Sequence, residues 1–212
     1  MKNEVKSEAA DRSGFAGSNG HKNGQKPSSR GIEIIEQQPV ESIKPESASK
    51  YAGLLSGNEA IALGTWHAGA GVAVGYPGTP STETLEYLAK ITSESDIYVE
   101  WSVNEKVAMD VAMGASLAGD RVIVTTKHVG LNVAMDSFMT SPFIGVNGGV
   151  VVFNADDPGM HSSQNEQDNR YIARFAGVPM LEPSDSQEAY DFTRAAFEIS
   201  ERWDTPVMLR MT

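Results

Sequence analysis

The sequence predicts an α/β fold of the doubly wound kind, a mostly parallel sheet with helices on both faces, preceded by a disordered tail over residues 1–50. Three observations carry this prediction. Apolar runs such as "VAVGY" (72–76), "RVIVTT" (121–126) and "GGVVVFNA" (148–155) lack a regular polar alternation, as strands buried on both faces do. They alternate with longer segments of helical apolar spacing, the rhythm of strand–helix–strand units. The composition also changes at Leu54: the text before it is rich in Ser, Gly, Asn, Lys and Gln, and ordering it would bury too little apolar surface to offset the entropy cost. Within that tail only "IEIIEQQPV" (32–40) alternates apolar and polar residues, so a docking strand is the single structured alternative there.

The remaining residues, 51–212, read as one domain. Ser56 and Glu59 have capping-box spacing and open a helix through about His67, which Gly69-Ala70-Gly71 ends. "VAVGY" is a strand, "PGTPSTE" the loop after it, and Thr82 to Ile91 a helix. "IYVEW" is the next strand and "SVNEKVAMDVAMGASLAG" the next helix. After the strand "RVIVTT", the segment "KHVGLNVAMDSFMT" predicts one helix beyond a short loop. "GGVVVFNA" is a strand, "DDPGMHSSQNEQD" a polar loop, and a shorter helix runs to about Ala176. "PMLEP", the helix "SDSQEAYDFTRAAFEISERW" and the strand "PVMLRM" complete the domain.

The formal net charge of −11 is concentrated in this domain, because the first fifty residues hold 8 basic and 7 acidic residues, leaving 9 basic and 21 acidic beyond them. So acidic a surface repels phosphate backbones and makes nucleic acid a poor partner. Without cysteine the chain offers no disulfide and no thiolate ligand for a metal or an iron-sulfur cluster. No apolar signal core and no run of about eighteen apolar residues occurs, so neither secretion nor membrane spanning is expected and a cytoplasmic location is.

In such sheets ligands sit beyond the carboxyl ends of the strands, which brings "PGTPSTE", "SVNE", "TTKHVGLN" and "DDPGMHSSQNEQD" to one edge. Glu105 lies three residues after Ser102 and therefore fits a capping box, yet a carboxylate arriving from a buried strand also suits acid/base work in an apolar pocket. Pro77 and Pro80 flank Gly78-Thr79, a stiff bend that would hold the hydroxyls of Thr79, Ser81 and Thr82 at a helix start for an anion; a plain strand-to-helix turn is the alternative. His128, directly after Lys127, is a general acid/base candidate, against the bland reading of a surface pair. Asp156, Asp157, His161, Ser163, Gln164, Asn165 and Asp168 crowd one loop without a diagnostic ligand spacing, so substrate or partner contact competes with a solvated loop and no metal site is expected. Walker, dinucleotide and serine-elbow motifs are all missing.

Taken together, "GNEAIALG", "GYPGTPSTE", "EWSVNEKVA", "TTKHVGLNVAMDSFMT", "ADDPGMHSSQNEQD", "ARFAGVPMLEPSDSQEA" and "PVMLR" resemble the thiamine diphosphate-dependent 2-oxoacid:ferredoxin oxidoreductases, and among them the large subunit of indolepyruvate ferredoxin oxidoreductase. The likeness runs in order from about Leu54 to Thr212. It implies a pyrimidine-binding domain whose Glu105 contacts the aminopyrimidine ring of thiamine diphosphate; a carboxyl group on the ring nitrogen favours the tautomer that removes the cofactor's C2 proton. It also implies that Pro77 and Thr79 lie at the cofactor, with Thr79, Lys127, His128, His161 and Ser163 facing an aryl 2-oxoacid. This chain would supply the activating glutamate only. The diphosphate and magnesium are expected on another domain or chain, and the iron-sulfur clusters, the smaller subunit and ferredoxin in the rest of the complex. The text stops after one further strand, so a fragment or split subunit is expected; a non-catalytic partner-binding domain and a truncated remnant remain alternative readings.

Overall fold

The computed structural model describes residues 53–93 and 96–212; the expectations for residues 1–50, including the docking strand at 32–40, lie outside them. Six strands form one sheet in the order β2-β1-β3-β4-β6-β5, and every neighbouring pair is parallel. The elements run α1 (Gly57–His67), β1 (Val72–Gly75), α2 (Thr82–Ile91), β2 (Tyr98–Trp101), α3 (Glu105–Ala118), β3 (Val122–Lys127), α4 (His128–Val133), α5 (Met135–Ile144), β4 (Val150–Ala155), α6 (Arg170–Ala176), β5 (Met180–Leu181), α7 (Ser186–Trp203) and β6 (Val207–Met211).

Side chains alternate across the sheet, so each strand feeds two cores. Ala73, Ile123, Val151, Phe153 and Leu209 point to one face and pack against Ile61 of α1, Leu85 and Leu88 of α2 and Phe197 of α7. Val74, Val124, Val152 and Met208 point to the other, against Met109 of α3, Leu131 of α4, Phe138 of α5 and Ala173 of α6. The central strands β3 and β4 carry buried residues along almost their whole length, which is why they read as uninterrupted apolar runs.

The expected capping box of α1 is present: Ser56 accepts the Glu59 amide at 3.3 Å and Glu59 accepts the Ser56 amide at 2.8 Å. Helix α3 ends at Gly119, whose φ of 104° is the left-handed geometry that glycine adopts without a Cβ penalty. The segment 127–140 departs from the expected single helix. Helix α4 begins at His128 with no intervening loop, and the chain turns at Ala134 before α5. The β-branched Val129 and Val133 and the glycine at 130 make α4 a weak helix former, which accounts for its shortness. Helix α5 contains Pro142, whose ring nitrogen cannot donate to the Phe138 carbonyl; the Ser141 hydroxyl donates to that carbonyl instead, at 2.8 Å.

Candidate functional site

The chain leaves the neighbouring strands β1 and β3 in opposite directions, to α2 on one face and to α4 on the other. In open parallel sheets such a divergence marks the carboxyl edge at which ligands bind. The turn 76–81, the start of α3, the start of α4 and the loop 156–169 all meet this edge.

Glu105 is the first residue of α3, and the spacing that suggested a capping box with Ser102 misleads. The N-cap is Asn104, whose side chain accepts the Val107 amide at 2.9 Å, while the buried Ser102 hydroxyl makes no hydrogen bond among the described residues. Backbone geometry explains the difference: Asn104 is the last extended residue and so stands one turn before the orphan amide that a cap must satisfy. Glu105 is thereby released from capping, and its side chain is buried, 8% exposed, without a hydrogen-bond partner among the described residues. It lies against the backbone of α4: a Cβ placed on Gly130 would stand 2.5 Å from its Oε1 and 3.0 Å from its Cδ.

The turn after β1 answers the question of its hydroxyls. Ser81 donates to the Gly78 carbonyl and Thr82 accepts the Gly78 amide, each at 2.8 Å, so both close the strand-to-helix turn. Pro77 and Thr79 are exposed and remain available at the edge. Lys127 joins this turn to the loop 156–169, since its aliphatic stem fills the space above Gly78 and its Nζ donates to the Ser162 carbonyl at 3.4 Å.

His128 is fully buried. Its Nε2 faces the backbone carbonyl oxygen of Asn165 at 3.0 Å, so the proton sits on Nε2 and Nδ1 is left as a buried acceptor without a partner among the described residues. Its own carbonyl accepts from Gln167 and from Asn169, both at 3.2 Å. The loop is pinned at its two ends by a buried polar network. Asp156, at one end, pairs with Arg210 at 2.6 Å and accepts from Asn154 at 2.7 Å, while Asn169, at the other, donates to Asp156 at 2.9 Å and to Asn154 at 3.0 Å. Arg210 continues to Glu182, which Arg170 also holds at 2.6 Å.

Within the loop, Asp157 accepts the amides of Ser162 at 2.8 Å and His161 at 3.1 Å. These bonds, the Ser162 amide foremost, together with the Ser162 hydroxyl, hold its carboxyl down at about 2. His161 is exposed and its ring rests over Gly159. Thus Lys127 and His128 are both in contact with the loop, whereas His161 lies on its exposed part. Sequence reasoning missed Gly130, Asn154, Gln167, Asn169, Glu182 and Arg210. The legible signal was polar residues at the ends of apolar strands, Asn154 in "VVVFNA" and Arg210 in "PVMLRM".

A buried carboxylate set against a glycine, without a hydrogen-bond partner among the described residues, fits a ligand that presents a nitrogen to be held. No cluster of three or more metal-ligating side chains occurs among the described residues. Nor is any helix among them long and apolar enough to cross a membrane.

The chain is 56% identical over 159 residues to the indolepyruvate oxidoreductase subunit IorA of Pyrococcus abyssi, a match covering 75% of this chain and 24% of that protein. The corresponding subunit of Archaeoglobus fulgidus is 50% identical over 160 residues, covering 74% of this chain and 26% of that protein. The 2-oxoglutarate synthase subunit KorA of Methanothermobacter thermautotrophicus is 30% identical, over 73% of this chain and 43% of that protein. The chain therefore spans about a quarter of the length of the IorA subunits it matches. In fold it is similar to the solved 2-oxoglutarate:ferredoxin oxidoreductase of Magnetococcus marinus, with a TM-score of 0.67 at 21% identity, over 74% of this chain and 28% of that one. Residues 64–212, more than half of the chain, match the family described as pyruvate flavodoxin/ferredoxin oxidoreductase, thiamine diphosphate-binding, and this chain belongs to that family.

Proposed function

We propose that this chain supplies the pyrimidine side of a thiamine diphosphate site in an enzyme that oxidatively decarboxylates aryl 2-oxoacids, indolepyruvate among them, with ferredoxin as electron acceptor. The observation that carries the reading is Glu105, a buried carboxylate at the carboxyl edge of the sheet that has no hydrogen-bond partner among the described residues and lies against Gly130 of α4. Bound there, thiamine diphosphate would supply the carbon nucleophile that attacks a 2-oxoacid ketone. Glu105 would hold the ring nitrogen and keep a proton shared at that atom. Pro77 and Thr79 stiffen the rim beside the ring. Thr79, Lys127, His161 and Ser163 line the open side, where Lys127 offers the positive charge that a 2-oxoacid carboxylate needs. His128 has no exposed surface, which favours a role through the loop it holds over direct proton transfer to substrate.

The diphosphate, its magnesium and the iron-sulfur clusters belong, in this reading, to polypeptide beyond these residues, together with a smaller subunit. The chain has no cysteine to ligate a cluster. The domain division follows the same reading, with residues 51–212 as the cofactor domain. Glu105→Gln tests it: in the assembled enzyme the variant should bind thiamine diphosphate but slow exchange of the C2 proton by about a hundredfold or more, within the range that general acid–base groups contribute. Exchange at the wild-type rate would remove Glu105 from this role.

A further inference from the structure

We propose that helix α4 is the positioning element of the site, with Gly130 fixing where the Glu105 carboxylate lies and His128 fixing α4 relative to the loop 156–169. The proposal rests on the role of Glu105 given above. The first observation is the seat. The three heavy atoms that a Cβ on Gly130 would meet first are all of Glu105, namely Oε1 at 2.5 Å, Cγ at 2.9 Å and Cδ at 3.0 Å. One methyl group would thus displace the whole end of the side chain, since turning the carboxylate about its last bond leaves Cγ and Cδ in place. Glu105 has no hydrogen bond to hold it among the described residues, so packing on Gly130 is what orients it.

The second observation is that the backbone does not ask for glycine here. Gly130 lies inside a right-handed helix, where glycine is disfavoured relative to alanine, and its φ is not in the left-handed region. Space for Glu105 explains the residue. The third observation is that α4 is tied to the loop along its length. Asn165 accepts from the His128 ring at 3.0 Å, Gln167 and Asn169 donate to the His128 carbonyl at 3.2 Å, and Asn132 and Gln167 exchange bonds at 2.8 Å. A displacement of the loop is therefore a displacement of α4 and of the seat. Gly130 and His128 are positioning residues, acting on the ligand through Glu105.

Carboxyl-carbon NMR of the 212-residue chain, labelled at glutamate and with Glu105 identified by its loss in Glu105→Gln, reads the effect without cofactor. Gly130→Ala should move the Glu105 signal. His128→Leu should move the same signal from a distance. Thermal melts provide the second readout: Gly130→Ala should lower Tm in the native background and raise it in the Glu105→Ala background, where the methyl has room and alanine is the better helix former. In the assembled enzyme Gly130→Ala should slow C2-proton exchange about tenfold or more with cofactor still bound. An unmoved Glu105 signal, or a Tm change of the same sign in both backgrounds, would overturn the proposal. Should Glu105→Gln exchange at the wild-type rate, the cofactor reading fails; should it be slow while Gly130→Ala is not, only the positioning inference fails.

Discussion

Replacing Arg210 by Met isolates the buried ion pair that anchors the loop 156–169. Arg210 and Asp156 have side chains 4% and 1% exposed and meet at 2.6 Å. Removing one member of such a pair leaves an uncompensated buried charge, which costs about 3–5 kcal/mol. Asp156 would keep the Asn154 and Asn169 donors, at 2.7 and 2.9 Å, and Glu182 would keep Arg170, so the expected cost falls at the lower end, about 3 kcal/mol. For a domain of this size that lowers Tm by roughly 6–12 °C. Urea denaturation followed by far-ultraviolet circular dichroism measures it. The double variant Arg210→Met/Asp156→Asn, which carries neither charge, should regain half or more of the loss. A single-variant cost below about 1 kcal/mol would refute the reasoning, because a pair this dry cannot be that weakly coupled if its partner stays charged and buried. A double variant no more stable than the single one would also refute it.

Further outcomes follow from the same structure. Asn104→Ala should cost about 1 kcal/mol through loss of the α3 cap, whereas Ser102→Ala, which removes a hydroxyl without a partner among the described residues, should cost nothing measurable by the same denaturation. Phe153→Ala, in the centre of β4, should cost about 3–5 kcal/mol and lower the yield of folded protein. Asp157 has a folded-state pKa of about 2, below its unfolded value, so the order it gives the loop is fully present above about pH 4 and lost as pH falls toward 2. Hydrogen exchange at the Ser162 amide across that window should accelerate in the native chain, and in Asp157→Asn should already be fast at pH 5. Glu201, held below the usual carboxylate range first by Arg121, forms a half-exposed bidentate pair, so Glu201→Gln should cost well under about 1 kcal/mol and the difference should shrink in salt.

The sheet was legible in the sequence because burial on both faces favours consecutive apolar residues, a pattern that Val122–Val124 of β3 and Val150–Phe153 of β4 display. The ends of elements were harder to read. Ser102 and Asn104 are both competent caps by chemistry, and only the backbone at 104 decides between them. The break at Ala134 turns on a short run of weak helix formers, whose cost tertiary packing of Leu131 and Phe138 offsets. Glu105 stood out as a carboxylate at the mouth of an apolar helix, but its seat did not, since a glycine within "KHVGLN" carries no visible sign of what it leaves room for. The network of Asn154, Asp156, Asn169 and Arg210 joins residues far apart along the chain, and no local spacing encodes such a meeting.

Pinning the loop at Asp156 and Asn169 separates what the fold requires of this segment from what a ligand requires. Closing a flexible loop costs entropy that grows only slowly with the span between its ends, and here those ends are already joined through buried groups. Substitutions of exposed side chains between Pro158 and Gln164, short of the Asn165 that holds the His128 ring, therefore leave the core untouched. A lineage can change the shape and charge of this exposed surface while the sheet beneath keeps its sequence, so variation here is separated from the stability of the fold.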